Sequence, residues 1–145
     1  EALPLVRYRT GDLTRLDYAP CKCGRTTVRM ENLSGRADDM LVIRGVNVFP
    51  TQIEEVLFKI PEIGPHYEIL VERKNRLDVM TITVELIDDR LLDSYTKLSE
   101  LEGRIKSNLK SMLGLATNIR LVAPHSLKRF EGKAKRVTDL RKDGL

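Results

Sequence analysis

The chain has 145 residues, which suffices for one domain with a hydrophobic core but not for two full ones. Apolar residues make up 41% of it and charged residues 32%, as in an ordinary globular domain, and the net charge is +4. No apolar run approaches membrane-spanning length and no signal-peptide pattern opens the chain, so we expect a cytoplasmic protein.

The first 30 residues have an irregular pattern with two short strand candidates, residues 3–10 and 13–16. The turn Gly11-Asp12 separates them. An ionised aspartate only accepts hydrogen bonds, and its two oxygens can bind two neighbouring hydroxyl groups. Asp12 is therefore a candidate for binding a diol, and the alternative is an aspartate that only closes the turn.

The cysteines lie together in the segment Cys21-Lys22-Cys23-Gly24. With one residue between them, a disulfide would be difficult to form. Half of a structural Zn²⁺ site is one interpretation, and its other ligands would have to come from upstream of Glu1, because His66 and His125 lie far away in sequence. Free thiols in a surface loop are the alternative.

A charged segment, Gly35-Arg36-Ala37-Asp38-Asp39, precedes a predicted hairpin. The predicted strands are residues 40–43 and 46–49, with Arg44 and Gly45 at the turn, where glycine takes a positive φ without steric cost. A polar, solvated segment in front of a hairpin suits a joint between two bodies.

From Pro50 onward the hydrophobic pattern becomes regular. A capping-box pair, Thr51 and Glu54, opens a predicted helix, and residues 67–71 and 80–86 alternate as the two strands of a hairpin. A longer helix with Leu98, Leu101, Ile105, Leu109 and Met112 on one face ends at Gly114, and residues 117–122 supply the last strand.

These elements predict an α+β fold, a small antiparallel sheet with two helices packed on one face in a ferredoxin-like arrangement, preceded by the linker hairpin. The hairpin of residues 67–86 could also pair edge to edge with a second copy, which would give a homodimer.

The last stretch is strongly basic and contains Glu131-Gly132-Lys133-Ala134-Lys135-Arg136. Poor helical periodicity over residues 126–142 predicts a loop that moves when no ligand is bound. The cluster favours a partner that carries phosphate, and a solvated basic tail is the alternative.

Three of these segments resemble motifs of the adenylate-forming superfamily, and they occur in the order in which the superfamily has them. Tyr8-Arg9-Thr10-Gly11-Asp12 is similar to its ribose-binding motif, residues 35–50 to its hinge and linker hairpin, and residues 131–136 to its catalytic-lysine loop. Within the superfamily, Arg-Gly-Val-Asn-Val-Phe-Pro at residues 44–50 is most similar to the aryl-acid, phenylacetate-type CoA ligases.

The resemblance implies the C-terminal piece of an ATP-dependent ligase that makes an acyl-adenylate and then an acyl-CoA thioester. Residues 1–35 would be a strip of the large AMP-binding domain, and residues 36–145 the small mobile domain. Its substrates and cofactor would be an aryl carboxylic acid, ATP, Mg²⁺ and coenzyme A, and its partner the upstream large domain, with no nucleic acid and no membrane. The fragment alone should be inactive, because the phosphate loop and the acid pocket would lie upstream.

The resemblance also implies roles for single residues. Lys133 would stabilise charge during adenylation, Asp12 would bind the ribose hydroxyls, Arg36 would approach the ribose or phosphate, and Asp38 would be the pivot between two orientations of the small domain. The hairpin turn would approach the pantetheine passage during thioester formation; its residues are Arg44, Gly45, Val46 and Asn47.

Two other classes of function compete with this interpretation. An RNA-binding module would also combine a small sheet, two helices and a basic flank, but it needs aromatic residues on the exposed sheet face, and residues 77–86 contain none. A regulatory ligand-binding module of the same ferredoxin-like shape is the second alternative.

Overall fold

The computed structural model describes residues 6–129 and 136–143, with side chains as far as Arg141. The chain forms two compact units, Glu1–Met40 and Leu41–Leu145. The domain boundary predicted between residues 35 and 36 stays a prediction.

The first unit is built from two-residue strands. They are β1 (Asp12–Leu13), β2 (Leu16–Asp17), β3 (Arg29–Met30) and β4 (Gly35–Arg36). β1 pairs antiparallel with β4, and β2 with β3. The single strand predicted over residues 13–16 is therefore wrong, because its two ends pair with different segments; residues 6–10 also form no strand.

The linker hairpin opens the second unit with β5 (Leu41–Ile43) and β6 (Val46–Val48). Arg44 and Gly45 both have positive φ, 49° and 78°, which is the geometry of a two-residue hairpin turn. The predicted hairpin is thus confirmed, with strands shorter by one residue at the outer ends.

Helix α1 spans Pro50–Leu57. The predicted capping box of Thr51 and Glu54 is wrong, because the helix begins at Pro50, whose fixed φ suits the first helical position. The Gln52 side chain accepts a hydrogen bond of 3.0 Å from the backbone N–H of Phe49 instead.

A four-stranded sheet forms the centre of the second unit, in the order β10, β7, β8, β9. Its strands are β7 (Ile63–Lys74), β8 (Leu77–Leu86), β9 (Asn118–Val122) and β10 (Val137–Asp139). β7 and β8 are antiparallel, but β9 runs parallel to β8 and β10 parallel to β7.

The sheet is therefore mixed and not wholly antiparallel as predicted, although the α+β class is confirmed. The reason is helix α2 (Tyr95–Leu113), which carries the chain back along the sheet so that the next strand enters parallel to β8. Strand β10 lies where a loop was predicted. β7 and β8 are the two inner strands, because β10 and β9 pair with their outer edges at residues 69–71 and 81–85, so the structure does not support a dimer contact along those stretches of the hairpin.

The core lies between one face of the sheet and the two helices. The facing pairs Tyr67–Val84, Ile69–Ile82 and Val71–Met80 are all buried on that face. Helix α2 buries Leu101, Ile105, Leu109 and Leu113 against it. The sequence predicted Met112 as the last residue of this buried stripe, but Met112 is 40% exposed and Leu113 is buried in its place. The reason is that the buried residues follow one another in steps of four along the helix, which leads from Leu109 to Leu113.

Within the part of the chain that the structure describes, no helix combines the length and the apolar composition that crossing a membrane requires.

Candidate functional site

Asp12, Arg36 and Asp38 come together in the first unit. The β1–β4 ladder sets Asp12 opposite Arg36, and the Arg36 Nη1 atom lies 3.7 Å from the Asp12 carboxylate. Arg36 also donates two hydrogen bonds to Asp38, of 2.9 Å from Nε and 3.0 Å from Nη2. This fork-like pairing raises the pKa of Arg36, mainly through the hydrogen bond to Asp38. The structure therefore groups three residues that the sequence placed in separate motifs.

This grouping suits the recognition of a polar ligand at the surface. The Arg36 side chain is 42% exposed and that of Asp12 25%, so both can reach a bound molecule. A carboxylate that accepts and a guanidinium that donates are complementary to a sugar diol beside a phosphate.

Asp38 lies in a 3-10 turn, Ala37–Asp39, close to the end of the first unit. The backbone N–H of Ala37 donates a 2.8 Å hydrogen bond to the Gly11 carbonyl, so the ladder of β1 and β4 continues up to the turn. Asp38 thus follows directly on an ordered ladder, and the second unit begins three residues after it.

The hairpin turn is held to the body of the second unit. Its inner side chains, Ile43 and Val48, are fully buried, while Asn47 is exposed. Arg44 Nε donates a 2.7 Å hydrogen bond to the backbone carbonyl of Asp78, at the start of β8. The outward residues of the hairpin are therefore presented on a fixed frame.

Lys133 lies outside the described residues, but both flanks of its segment are described. We call residues 130–135 the lysine segment. On its N-terminal side, Arg129 donates to both carboxylate oxygens of Glu85, at 2.9 and 2.8 Å. The backbone N–H of Leu127 donates to the same carboxylate at 2.7 Å.

Glu85 is only 3% exposed, which is unusual for a glutamate and is explained by these donors. The hydrogen bonds from Arg129 lower the pKa of the Glu85 carboxyl to about 2. The carboxylate is thus charged at all physiological pH values and ties residues 127–129 to β8.

On the C-terminal side of the lysine segment, Arg136 forms an ion pair with Glu54 of α1. Its guanidinium carbon lies 4.7 Å from the centre of the Tyr67 ring, a cation–π arrangement. The Tyr67 hydroxyl donates a 2.9 Å hydrogen bond to the same Glu54, and burial raises the pKa of Tyr67. Both flanks of the lysine segment are consequently fixed to one body.

The basic last stretch of the sequence favours a partner that carries phosphate, with a solvated basic tail as the alternative. The structure places Arg129 and Arg136 in ion pairs within the second unit. Sequence reasoning missed these pairs, because Glu85 and Glu54 lie 44 and 82 positions away from their partners.

The Sγ atoms of Cys21 and Cys23 lie 3.0 Å apart, and the hydrogen bond from Cys21 lowers the pKa of the Cys23 thiol. Across residues 6–129 and 136–143, no group of three His, Cys, Asp or Glu side chains is arranged to hold a metal ion. The half-site for Zn²⁺ is therefore not supported, and the two residues are free cysteines.

The face of the sheet turned away from the core offers little to an RNA base. The outward side chains along β7 and β8 include Glu68, Leu70, Glu72, Thr81 and Thr83. None of these is aromatic, and the tyrosine of β7, Tyr67, is buried on the other face. His66, the other ring side chain of this strand, is half-buried near its start. The stacking surface of an RNA-recognition sheet is not found at these positions.

Comparisons with known proteins do not favour an RNA-binding module. Residues 45–141 match the family described as AMP-binding enzyme C-terminal domain. The chain is 46% identical to phenylacetate-coenzyme A ligase of Thermus thermophilus, over 98% of this chain and 35% of that protein. It is 45% identical to phenylacetate-coenzyme A ligase of Escherichia coli, over 97% of this chain and 32% of that protein. The chain therefore spans about a third of the length of these curated relatives.

Solved structures agree with these matches. A crystal structure of 2-hydroxyisobutyryl-CoA ligase in the postadenylation state, in complex with 2-HIB-AMP, has a TM-score of 0.81 at 31% identity and covers 97% of this chain and 30% of its own. The same ligase with 2-HIB-AMP and CoA in the thioesterification state has a TM-score of 0.67 at 31% identity, over 96% of this chain and 29% of its own.

Proposed function

Since the chain belongs to the family of AMP-binding enzyme C-terminal domains, we propose that the whole protein is an ATP-dependent acid–thiol ligase. Its substrate is an aryl carboxylic acid of the phenylacetate type, as the names of the relatives at 45 and 46% identity suggest. The carboxylate oxygen attacks the α-phosphorus of ATP and pyrophosphate leaves; the thiol of coenzyme A then attacks the acyl carbon and AMP leaves. This chain is the C-terminal part, which cannot carry out the reaction alone.

In the first half-reaction, Lys133 donates hydrogen bonds to the substrate carboxylate and the α-phosphate while charge shifts toward pyrophosphate. An ammonium group has three donors and is protonated at neutral pH, which suits this role. One observation carries the proposal: both flanks of the lysine segment are fixed to the same small body, by Arg129 on Glu85 and by Arg136 on Glu54. Lys133 is therefore attached to a body that can bring it to the substrate and withdraw it.

Asp12 and Arg36 form the nucleotide contact of this chain. The Asp12 carboxylate accepts from the ribose hydroxyls of ATP, and Arg36, held by its pairing with Asp38, lies next to it. Mg²⁺ accompanies ATP in this chemistry. The described residues bring together no set of side chains that fits a metal ion, so we assign none of them to Mg²⁺.

In the second half-reaction the lysine has to leave so that sulfur can approach the same carbon. We assign the pivot to Asp38, which lies between the ladder of β1 and β4 and the start of the second unit. The hairpin turn, residues 44–47, then lies along the path of pantetheine.

The upstream large domain is the main partner of this chain. We place the enzyme in the cytoplasm, where ATP and coenzyme A are available; the two free cysteines suit a reducing compartment. A homodimer stays a prediction that no described contact supports.

The test uses the complete protein with ATP and Mg²⁺. Exchange of labelled pyrophosphate into ATP that requires phenylacetate or another aryl acid but no coenzyme A would support the proposal, as would thioester formation once coenzyme A is added. Absence of acid-dependent exchange with every aryl acid offered would refute it. The 145-residue chain alone serves as the inactive control.

A further inference from the structure

One arginine near the end of the chain joins three parts of the second unit. Arg141 donates to Asp139, at 2.9 Å from Nε and 2.7 Å from Nη2, and its Nη1 donates to Asp78 at 2.7 Å. The same Nη1 donates to the backbone carbonyl of Val42, in strand β5 of the linker hairpin, also at 2.7 Å. We call Arg141 and these three acceptors the arginine junction.

The arginine junction is sheltered from solvent. The side chain of Arg141 is 15% exposed, that of Asp78 12% and that of Asp139 14%. Hydrogen bonds from Arg141 lower the pKa of the Asp78 carboxyl, and those to Asp139 raise the pKa of Arg141. A planar guanidinium with five donors can serve several acceptors at once, which the compact ammonium of lysine cannot do in the same geometry.

The arginine junction bonds the hairpin next to its turn, the part that is proposed to lie along the path of coenzyme A. In the register of the hairpin, Val42 faces Asn47, and Ile43 faces Val46. A hydrogen bond to the Val42 carbonyl therefore fixes the strand directly opposite Asn47. Arg44 supplies a second tie through the carbonyl of Asp78, so Asp78 is bonded by both ties, one through its side chain and one through its backbone.

We propose that Arg141 is a positioning residue for thioester formation: it fixes the linker hairpin to the small domain so that the hairpin turn meets coenzyme A in a set geometry. This inference rests on the proposed function. Arg141 is assigned no contact with a substrate. Arg141 acts through the hairpin, so its replacement should slow thioester formation. Adenylation, which uses Lys133, should stay nearly unchanged.

A matched control is provided by Arg73, which also pairs with Asp78, at 3.0 Å through Nε. The Arg73 side chain is 62% exposed, and the contact to the Val42 carbonyl comes from Arg141. Arg73→Met thus removes a positive charge from the same carboxylate but keeps the tie to the hairpin.

The experiment compares Arg141→Met, Arg141→Lys and Arg73→Met in the complete ligase. Pyrophosphate exchange reports adenylation, and thioester formation at varied coenzyme A reports the second half-reaction. We expect Arg141→Met to raise KM for coenzyme A by about ten-fold to a hundred-fold, as misplacement of a positioning element does, with pyrophosphate exchange within about two-fold of wild type. Arg141→Lys keeps the charge and should be intermediate, and Arg73→Met should match wild type.

Equal losses in both half-reactions, or equal effects of Arg73→Met and Arg141→Met, would overturn the inference. If Arg141→Met does not fold, Arg141→Lys decides: a KM for coenzyme A equal to that of wild type would also overturn it. A wild-type enzyme without acid-dependent exchange would instead refute the proposed function, and the inference would fall with it.

Discussion

Replacing Glu85 by glutamine tests how firmly the N-terminal flank of the lysine segment is tied to the sheet. The change keeps the shape of the side chain but removes the charge that accepts from Arg129 and from the Leu127 N–H. Glu85 is 3% exposed, so water cannot replace these partners easily.

The magnitude follows from the pKa of Glu85, which is about 2 in the folded chain against a usual 4.5. At about 1.4 kcal/mol for each pH unit, this difference corresponds to about 3 kcal/mol of stability. Because the folded-state pKa is depressed, that stability is fully present above pH 4.5 and is lost as the pH falls from about 4.5 to about 2.

The assay is urea unfolding of the 145-residue chain between pH 7 and pH 2. Wild type should exceed Glu85→Gln in free energy of unfolding by about 3 kcal/mol at pH 7, and this gap should close below pH 4.5. Glu55→Gln is the control, since Glu55 is 56% exposed and pairs with Lys59 on the helix surface, where such a pair contributes about 0.3–0.5 kcal/mol. A gap that stays constant with pH, or one no larger than that of the control, would refute the reasoning.

Two further substitutions test the pivot and the hairpin. Asp38→Pro in the complete enzyme should lower the two half-reactions unequally, by a ratio of about ten-fold or more, because proline fixes φ and traps one orientation. Asp38→Ala does not fix φ but releases Arg36, so it should lower both half-reactions to a similar extent and keep their ratio as in wild type. Equal losses of the two half-reactions in Asp38→Pro would speak against a pivot. Gly45→Val should lower the free energy of unfolding in urea by about 1–2 kcal/mol, because the φ of Gly45 is +78°. The control is Gly103→Ala in α2, where an added Cβ meets nothing within 4 Å, and it should be neutral or stabilising. Equal effects of the two substitutions would contradict this account of the turn.

The sequence predicted both helices, the linker hairpin and strands β7, β8 and β9 of the second unit, since each of these has a local pattern typical of one kind of structure. Leu101, Ile105 and Leu109 follow helical spacing and are buried as expected. The Arg44-Gly45 turn, with a glycine that accepts positive φ, places the linker hairpin correctly.

The long-range pairings could not be read from such patterns. Strand β10 is three residues long, lies in a basic segment and pairs with β7 almost 70 positions earlier. β9 runs parallel to β8 because of the path that α2 takes, and no residue within β9 indicates that path. Local hydrophobic periodicity predicts neither the pairing of β10 with β7 nor the direction of β9.

The same limit applies to the candidate site. The alternation of apolar and polar residues along β8 predicts that Glu85 is an outward polar residue. No residue near it in sequence indicates that Arg129 and Leu127 donate hydrogen bonds to it and bury it. Likewise, Arg141 belongs to a basic stretch in the sequence and becomes the centre of the arginine junction only in the fold. Asp12, Arg36 and Asp38 were chosen by resemblance, and the β1–β4 ladder supplies the reason why they meet.

The central claim is that Lys133, attached to the small domain, stabilises the charge that shifts during adenylation. Lys133→Ala in the complete enzyme tests it most directly. The control is Lys128→Ala, because Lys128 is an exposed lysine just before the lysine segment. We predict that Lys133→Ala lowers the rate of pyrophosphate exchange by about 10²–10³-fold, about 3–4 kcal/mol, while Lys128→Ala stays near wild type. Pyrophosphate exchange by Lys133→Ala at the rate of wild type would contradict the account.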